Sequence, residues 1–167
     1  MRPAPVTTRL ARPSDAATML RSLHLGVDTY RAFGPAGWVP RPPPDELERT
    51  AGLLRSRHTW ALMAEVAGEP AGHVSLLPDP GRADAAYLWQ LFVRPRWWGT
   101  GLAGELHDAF LSEARRRGYR TGRLDTPAPH ARARRFYERR GWRLDGSPFA
   151  MGNFGIPLVS YRRELGA

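Results

Sequence analysis

A chain of 167 residues with 42% hydrophobic content is long enough to bury a single core, and its 25 basic residues, all arginine, outweigh 16 acidic ones for a net charge of +9. The absence of both cysteine and lysine excludes disulfides, cysteine-based zinc sites, a cysteine nucleophile and a lysine Schiff base. No run reaches the ~18 apolar residues of a membrane helix, and the opening Met1-Arg2-Pro3-Ala4-Pro5 leads into no apolar secretory core, so the expectation is one cytoplasmic domain over residues 1–167 with no membrane partner.

Thr7 to Ala11 reads as a first strand, and Pro13-Ser14-Asp15 as the cap of a helix carrying Ala17, Leu20, Leu23, His24 and Val27. The segment from Arg31 to Pro44 is rich in Gly, Pro and aromatics and reads as an irregular loop. Tyr30 just before it, and its Phe33 and Trp38, either pack on the core or line a substrate pocket. Asp45 begins a second helix that ends before Thr59. Three strands follow: Trp60 to Val66, a Gly68-Glu69-Pro70 turn, Ala71 to Leu77, a loop through Asp84, and Ala86 to Val93. Alternation places Tyr87, Trp89, Leu91 and Val93 on one face of the third strand and Leu88 and Phe92 on the other, so both faces are expected to be buried.

That apolar strand breaks at Val93-Arg94-Pro95 and gives way to Gly99-Thr100-Gly101, after which Leu102, Leu106 and Phe110 recur at helical spacing. Strand, glycine turn and helix in that order build an anion site. Glycines let the backbone approach a ligand, and the first amides of the helix have no partner inside it, so a phosphate is the expected guest. The same glycines also suit a plain strand-to-helix turn. Gly118 stops the helix, Tyr119 to Thr126 forms another strand, His130 to Arg140 a short helix, and Leu158 to Leu165 the last strand after a Gly/Pro-rich loop. The pattern predicts an α/β fold: a mixed sheet with an antiparallel N-terminal meander, then parallel strands joined by a crossover helix. The arginines are spread along the chain and lack interleaved aromatics, which argues against a nucleic-acid groove.

Two stretches together resemble motifs of the GNAT superfamily of acetyl-CoA-dependent N-acetyltransferases. Val93-x-Pro95-x-x-Trp98-Gly99-Thr100-Gly101-Leu102-Ala103 is similar to its pyrophosphate-binding motif. His130-x-x-Ala133-x-x-Phe136-Tyr137-x-x-x-Gly141-Trp142 is similar to its second motif, usually Asn-x-x-Ala-x-x-Phe-Tyr-x-x-x-Gly-Phe. The resemblance implies the single-domain GNAT fold with splayed parallel strands, and acetyl-CoA as co-substrate. It places coenzyme A on Leu91, Phe92 and Val93 of the strand, on Trp98, Gly99, Thr100, Gly101, Leu102 and Ala103 of the loop and helix start, and on His130, Ala133 and Phe136. No metal is implied. A backbone N–H near Phe92 and Val93 would serve the thioester carbonyl, and Tyr137 would protonate the departing sulfur, its alternative being a core tyrosine packed beside Phe136.

Three departures from the family pattern bear on mechanism. Trp98 stands where Arg or Gln is usual, so backbone amides would carry the pyrophosphate; Arg96-x-x-Gly99-x-Gly101 is the other frame that fits the loose motif. His130 replaces Asn and either donates to a pantetheine carbonyl or starts a helix in solvent. Tyr87 replaces the glutamate that serves many members as general base, which leaves Glu65, His73, Asp84, Asp125 or a water chain for that role. The implied reaction is direct transfer of an acyl group to a primary amine of a small molecule or peptide. The alternatives are acylation of a protein, or a non-catalytic acyl-CoA sensor. Phe149 to Ile156 is expected to complete the substrate pocket, and exposed aromatics near the last strand would suit a homodimer. Acyl-chain length and the acceptor are not encoded in any motif.

Overall fold

A computed structural model describes residues 4–166, so the opening Met1 to Pro3 lies outside the described residues. Seven strands form one mixed sheet in the order β1-β2-β3-β4-β5-β7-β6: β1 (Val6–Leu10), β2 (Trp60–Val66), β3 (Glu69–Pro78), β4 (Ala85–Val93), β5 (Thr121–Pro127), β6 (Arg143–Leu144) and β7 (Leu158–Glu164). Four α-helices complete it: α1 (Ala16–Asp28), α2 (Glu46–Arg55), α3 (Leu102–Arg116) and α4 (Ala131–Arg139). Among the described residues only β4 and β5 are parallel, and α3 is the crossover between them.

The two faces have different cores. On one, Met19 of α1 and Leu54 of α2 cover Ala61 and Met63 of β2, and Gly26 of α1 lies directly on the Phe92 ring. On the other, Leu102, Leu106 and Phe110 of α3 pack with Val74, Leu76, Leu88, Leu124 and Trp142. Gly122 lets Trp142 lie flat on β5, where an added Cβ would meet its ring at 2.8 Å. The indole N–H of Trp142 donates to Nε2 of His107 at 2.9 Å, beneath α3.

The structure corrects several expectations. The side-chain alternation of β4 does not run unbroken. Gln90 pairs with Ser75 but Leu88 with Leu76, so Trp89 is an extra residue, a β-bulge that re-phases the strand. Leu88, Leu91 and Val93 therefore share the α3 face, and Tyr87, Gln90 and Phe92 the α1 face, in place of the expected division. The β2–β3 turn lies at Ala67-Gly68, both at positive φ (52° and 81°), one residue before the expected position, and Glu69 already belongs to β3. Pro13-Ser14-Asp15 forms a 3₁₀ turn that leads into α1. The Asp15 carboxylate does not cap the helix but turns back, accepting from the Arg12 amide at 2.7 Å and from Arg9 at 2.8 and 2.9 Å.

Candidate active site

The strands β4 and β5 pair over three residues only, Ala85 to Tyr87 against Thr121 to Arg123. Beyond that point they diverge, and Leu91, Phe92 and Val93 are paired on their β3 side alone. The result is a fork in the sheet with an unpaired β4 edge as one wall. The bulge at Trp89 turns the Leu91 and Val93 side chains toward α3, whereas the Phe92 side chain is spent under α1 between Gly26 and His73.

At the mouth of the fork, the glycine loop turns into α3. Gly99 and Gly101 hold φ of 76° and 88°, a left-handed backbone that other residues rarely adopt, and Gly101 is the residue immediately before the helix. Among the described residues, the backbone N–H groups of Gly99, Thr100, Gly101, Ala103 and Gly104 have no protein acceptor, and Leu102 N–H has only a long 3.4 Å contact to Thr100 Oγ1. These are the unpaired donors an anion needs. Thr100 ties the turn by donating from Oγ1 to the Trp97 carbonyl at 2.7 Å.

Trp98 is committed elsewhere through both its donors. Its amide bonds the Pro95 carbonyl and its indole N–H the Val93 carbonyl at 2.8 Å, pinning the loop to the end of β4. Arg96, the arginine of the alternative frame, faces away and pairs with Glu69 at 2.7 Å.

From the opposite side, α4 and the residue before it bring Ala133, Phe136 and Tyr137, and His130. Ala133 and Phe136 join Leu91 and Ala103 at the edge of the α3-side core, so four of the residues expected around coenzyme A pack against the same cluster. His130 precedes α4, and its Nδ1 accepts from the Ala133 amide at 3.5 Å. That contact leaves Nε2 as the protonated nitrogen. The imidazole is packed on Tyr30 and Phe33 at 5.3 and 4.9 Å, and burial together with neighbouring Arg132 lowers its pKa to about 4. It is a packed ring and not a solvated helix start.

Tyr137 is 8% exposed, with its ring set between Phe136, Trp142 and Tyr161. Its hydroxyl has no hydrogen-bond partner among the described residues. Burial raises its pKa, and the nearby hydroxyls of Tyr30 and Tyr87 add to the rise, so it keeps its proton at neutral pH.

At the closed end of the fork lies a polar cluster that sequence reasoning found only in part. The Tyr87 hydroxyl donates to Asp125 Oδ2 at 3.2 Å across the β4–β5 junction. Asp125 also accepts from Arg123 at 2.9 and 3.0 Å and from Ser160 at 2.6 Å. Arg123 bonds a second, buried carboxylate, Asp79, and its guanidinium lies 4.5 Å over the Tyr87 ring. Two carboxylates thus share one guanidinium. Of the base candidates, only Asp125 faces the fork. Glu65 sits on β2 with Arg9 at 3.2 Å, Asp84 lies in the exposed loop before β4 with Arg82 at 3.9 Å, and His73 is wholly buried under α1, bonded to Gln90 at 2.7 Å.

The two loops expected to form a pocket meet beside His130, past the end of β5 where the fork is open. Trp38 donates from Nε1 to the Phe154 carbonyl at 2.6 Å, and Tyr30, Phe33, Trp38 and Phe154 form one aromatic group with His130. Among the described residues no three His, Asp or Glu side chains are grouped to hold a metal, and no helix is long and apolar enough to cross a membrane.

Comparison with known proteins agrees with this geometry. The profile described as Acetyltransferase (GNAT) family matches residues 25–142, a span that contains both the glycine loop and α4. A curated L-2,4-diaminobutyric acid acetyltransferase of Vibrio parahaemolyticus is 34% identical over 64 residues, which is 37% of this chain and 35% of the relative's length. The chain thus spans about a third of the curated relative that it matches. Among solved structures, YncA of Salmonella typhimurium with acetyl-CoA superposes with a TM-score of 0.73 at 21% identity, covering 96% of this chain and 94% of the other. The PaiA N-acetyltransferase of Thermoplasma acidophilum, solved with coenzyme A, gives 0.70 at 13% identity over 96% and 99%. These likenesses establish the fold. With the profile covering most of the sequence, the chain belongs to the acetyltransferase (GNAT) family, a family of acetyl-CoA-dependent N-acetyltransferases.

Proposed function

We propose that the chain moves an acetyl group from acetyl-CoA directly to a primary amine of a small molecule. The observation that carries this reading is the Tyr137 hydroxyl, protonated and without a partner, at a fork whose mouth holds five unpaired amides. The pyrophosphate would occupy those amides, Gly99, Thr100 and Gly101 first. The pantetheine arm would lie along the free edge of Leu91 to Val93 as an added strand, walled by Ala133 and Phe136.

An ammonium, with a reference pKa near ~10, must lose one proton before it attacks. Its nitrogen then bonds the thioester carbon, the C–S bond breaks, and Tyr137 gives its proton to the departing sulfur. The nitrogen sheds a second proton as the amide forms, which restores the tyrosine. The balance is one amide, one free thiol and one proton released to solvent. Tyr87 and Asp125 together replace the usual strand glutamate. The carboxylate has moved across the fork from β4 to β5, and the tyrosine hydroxyl links it to the acceptor side.

The acceptor would enter between the aromatic loops and the Tyr87–Asp125 pair. Apolar walls beside a carboxylate suit a small amine with apolar bulk, and the diaminobutyrate relative adds short diamino acids to the compounds to try. A sensor without turnover is the second reading, favoured by one observation: Asp125 already accepts from three different side chains. Thiol release from acetyl-CoA, measured over a panel of amines that includes 2,4-diaminobutyrate, tests the proposal. Turnover on an amine supports it, while tight coenzyme A binding with no turnover on any amine supports the sensor.

A further inference from the structure

Two guanidinium groups reach from α4 toward the glycine loop, and neither has a carboxylate partner among the described residues. Arg132 lies 4.2 Å over the ring of Trp98, the residue just before Gly99. Arg140 lies 3.9 Å over the ring of Phe136, and its head group fills the space above Gly104, where an added Cβ would meet it at 2.7 Å. Residues 132, 136 and 140 follow one another at four-residue spacing, so the three form a stripe on one side of α4 and its C-terminal cap. Among the described residues no side chain of the loop brings a positive charge to the glycines, because Trp98 holds the Val93 carbonyl, Arg94 bonds Ser22 and the Thr18 carbonyl of α1, and Arg96 is paired with Glu69.

Coenzyme A carries a pyrophosphate and a 3′-phosphomonoester. The N-terminus of α3 offsets the equivalent of about half a unit charge. We propose that Arg132 and Arg140 are the side-chain phosphate ligands for coenzyme A in this chain, supplied from α4 in place of the loop residue that Trp98 replaces. The proposal rests on the acetyl-CoA reading above. A guanidinium is weakly hydrated, meets phosphate oxygens through paired N–H donors, and loses little freedom on binding when an aromatic ring already holds it flat. Gly104 belongs to the same device, since any side chain there displaces Arg140. Arg135 and Arg139 of the same helix have no such aromatic seat.

Calorimetric titration of the full chain with coenzyme A, dephospho-CoA and pantetheine, at several salt concentrations, tests the assignment without turnover. Arg132→Ala and Arg140→Ala are each expected to weaken coenzyme A about 10-fold and to flatten the dependence of log Kd on log salt. Pantetheine affinity and Tm should stay at wild-type values. Arg132→Lys should recover part of the loss, because it restores charge without the paired donors. A loss that vanishes with dephospho-CoA assigns that arginine to the 3′-phosphate, and one that persists assigns it to the pyrophosphate; both uphold the proposal. Coenzyme A affinity and salt slope that match wild type in either variant overturn the assignment for that residue. Wild-type protein that binds none of the three compounds would sink the acetyl-CoA reading itself.

Discussion

The hydroxyl of Tyr87 on β4 reaches the carboxylate of Asp125 on β5 at 3.2 Å, where the two strands part. Tyr87→Phe removes one partner from a carboxylate that retains Arg123 and Ser160, so stability should fall by only about 1 kcal/mol. The rate of transfer should fall further than that. Asp125→Asn leaves Asp79 as the one carboxylate beside Arg123 and should cost about 3 kcal/mol, with a larger loss of kcat than Tyr87→Phe. Chemical denaturation and steady-state kinetics on both variants separate the structural part from the chemical one. Equal kcat in the two variants and wild type would remove the pair from catalysis.

Tyr137→Phe keeps the packing against Phe136, Trp142 and Tyr161 and deletes only the unpartnered hydroxyl. We expect kcat to drop about 10²-fold with the KM for acetyl-CoA nearly unchanged. The alkaline limb of the pH profile should change with it. Wild-type kcat and pH dependence would leave Tyr137 as a core residue.

Gly101→Val forces a branched side chain into a φ of 88° at the start of α3. The strain should cost about 2 kcal/mol and tilt the free amides of Ala103 and Gly104 out of line. Coenzyme A affinity, measured calorimetrically, should fall at least about 10-fold. Retained affinity would mean that the loop is a turn and nothing more.

His73 and His107 are both buried, and desolvation lowers the pKa of each to about 4, from an unfolded value near ~6.5. Between those values the unfolded chain binds protons that the folded chain refuses. Stability is therefore complete above about pH 6.5 and declines as pH falls toward 4, by about 1.4 kcal/mol per pH unit for each histidine in the steep part of the window. Unfolding midpoints measured from pH 7.5 to 4.5 check this. His107→Gln should flatten the slope, because a neutral amide can still accept from Trp142.

Trp38→Phe keeps the aromatic group but cuts its hydrogen bond to the Phe154 carbonyl, the tie between the two loops over the fork. The KM for the amine should rise several-fold while that for acetyl-CoA holds. A change confined to acetyl-CoA would move the acceptor site elsewhere.

What was legible in the sequence followed from backbone constraint. Gly99 and Gly101 signalled a tight turn between a strand and a helix, and Gly118 the stop of that helix; neither reading depends on distant residues. The bulge at Trp89 left no such mark. Tyr87, Trp89, Leu91 and Val93 alternate cleanly, and only the pairing with β3 shows where the phase breaks. Asp125 stood among the candidate bases, but Asp79, 44 residues before Arg123, joins Arg123 and Asp125 only after β4 and β5 are laid side by side. Arg132 and Arg140 did not stand out among arginines spread along the chain, because the aromatic rings that seat them come from packing as well as from sequence spacing.

The three-residue seam between β4 and β5 also makes the sheet two plates hinged along a short weld. Past the weld, no pairing of β4 with β5 joins the plates among the described residues, and α3 bridges them from one face. A ligand that threads the gap supplies the rungs the protein lacks, so the substrate acts as a piece of the scaffold while it is being consumed. Each turnover should therefore stiffen and slacken the same seam, with amide exchange along Leu88 to Val93 slow when the gap is filled and fast when it empties.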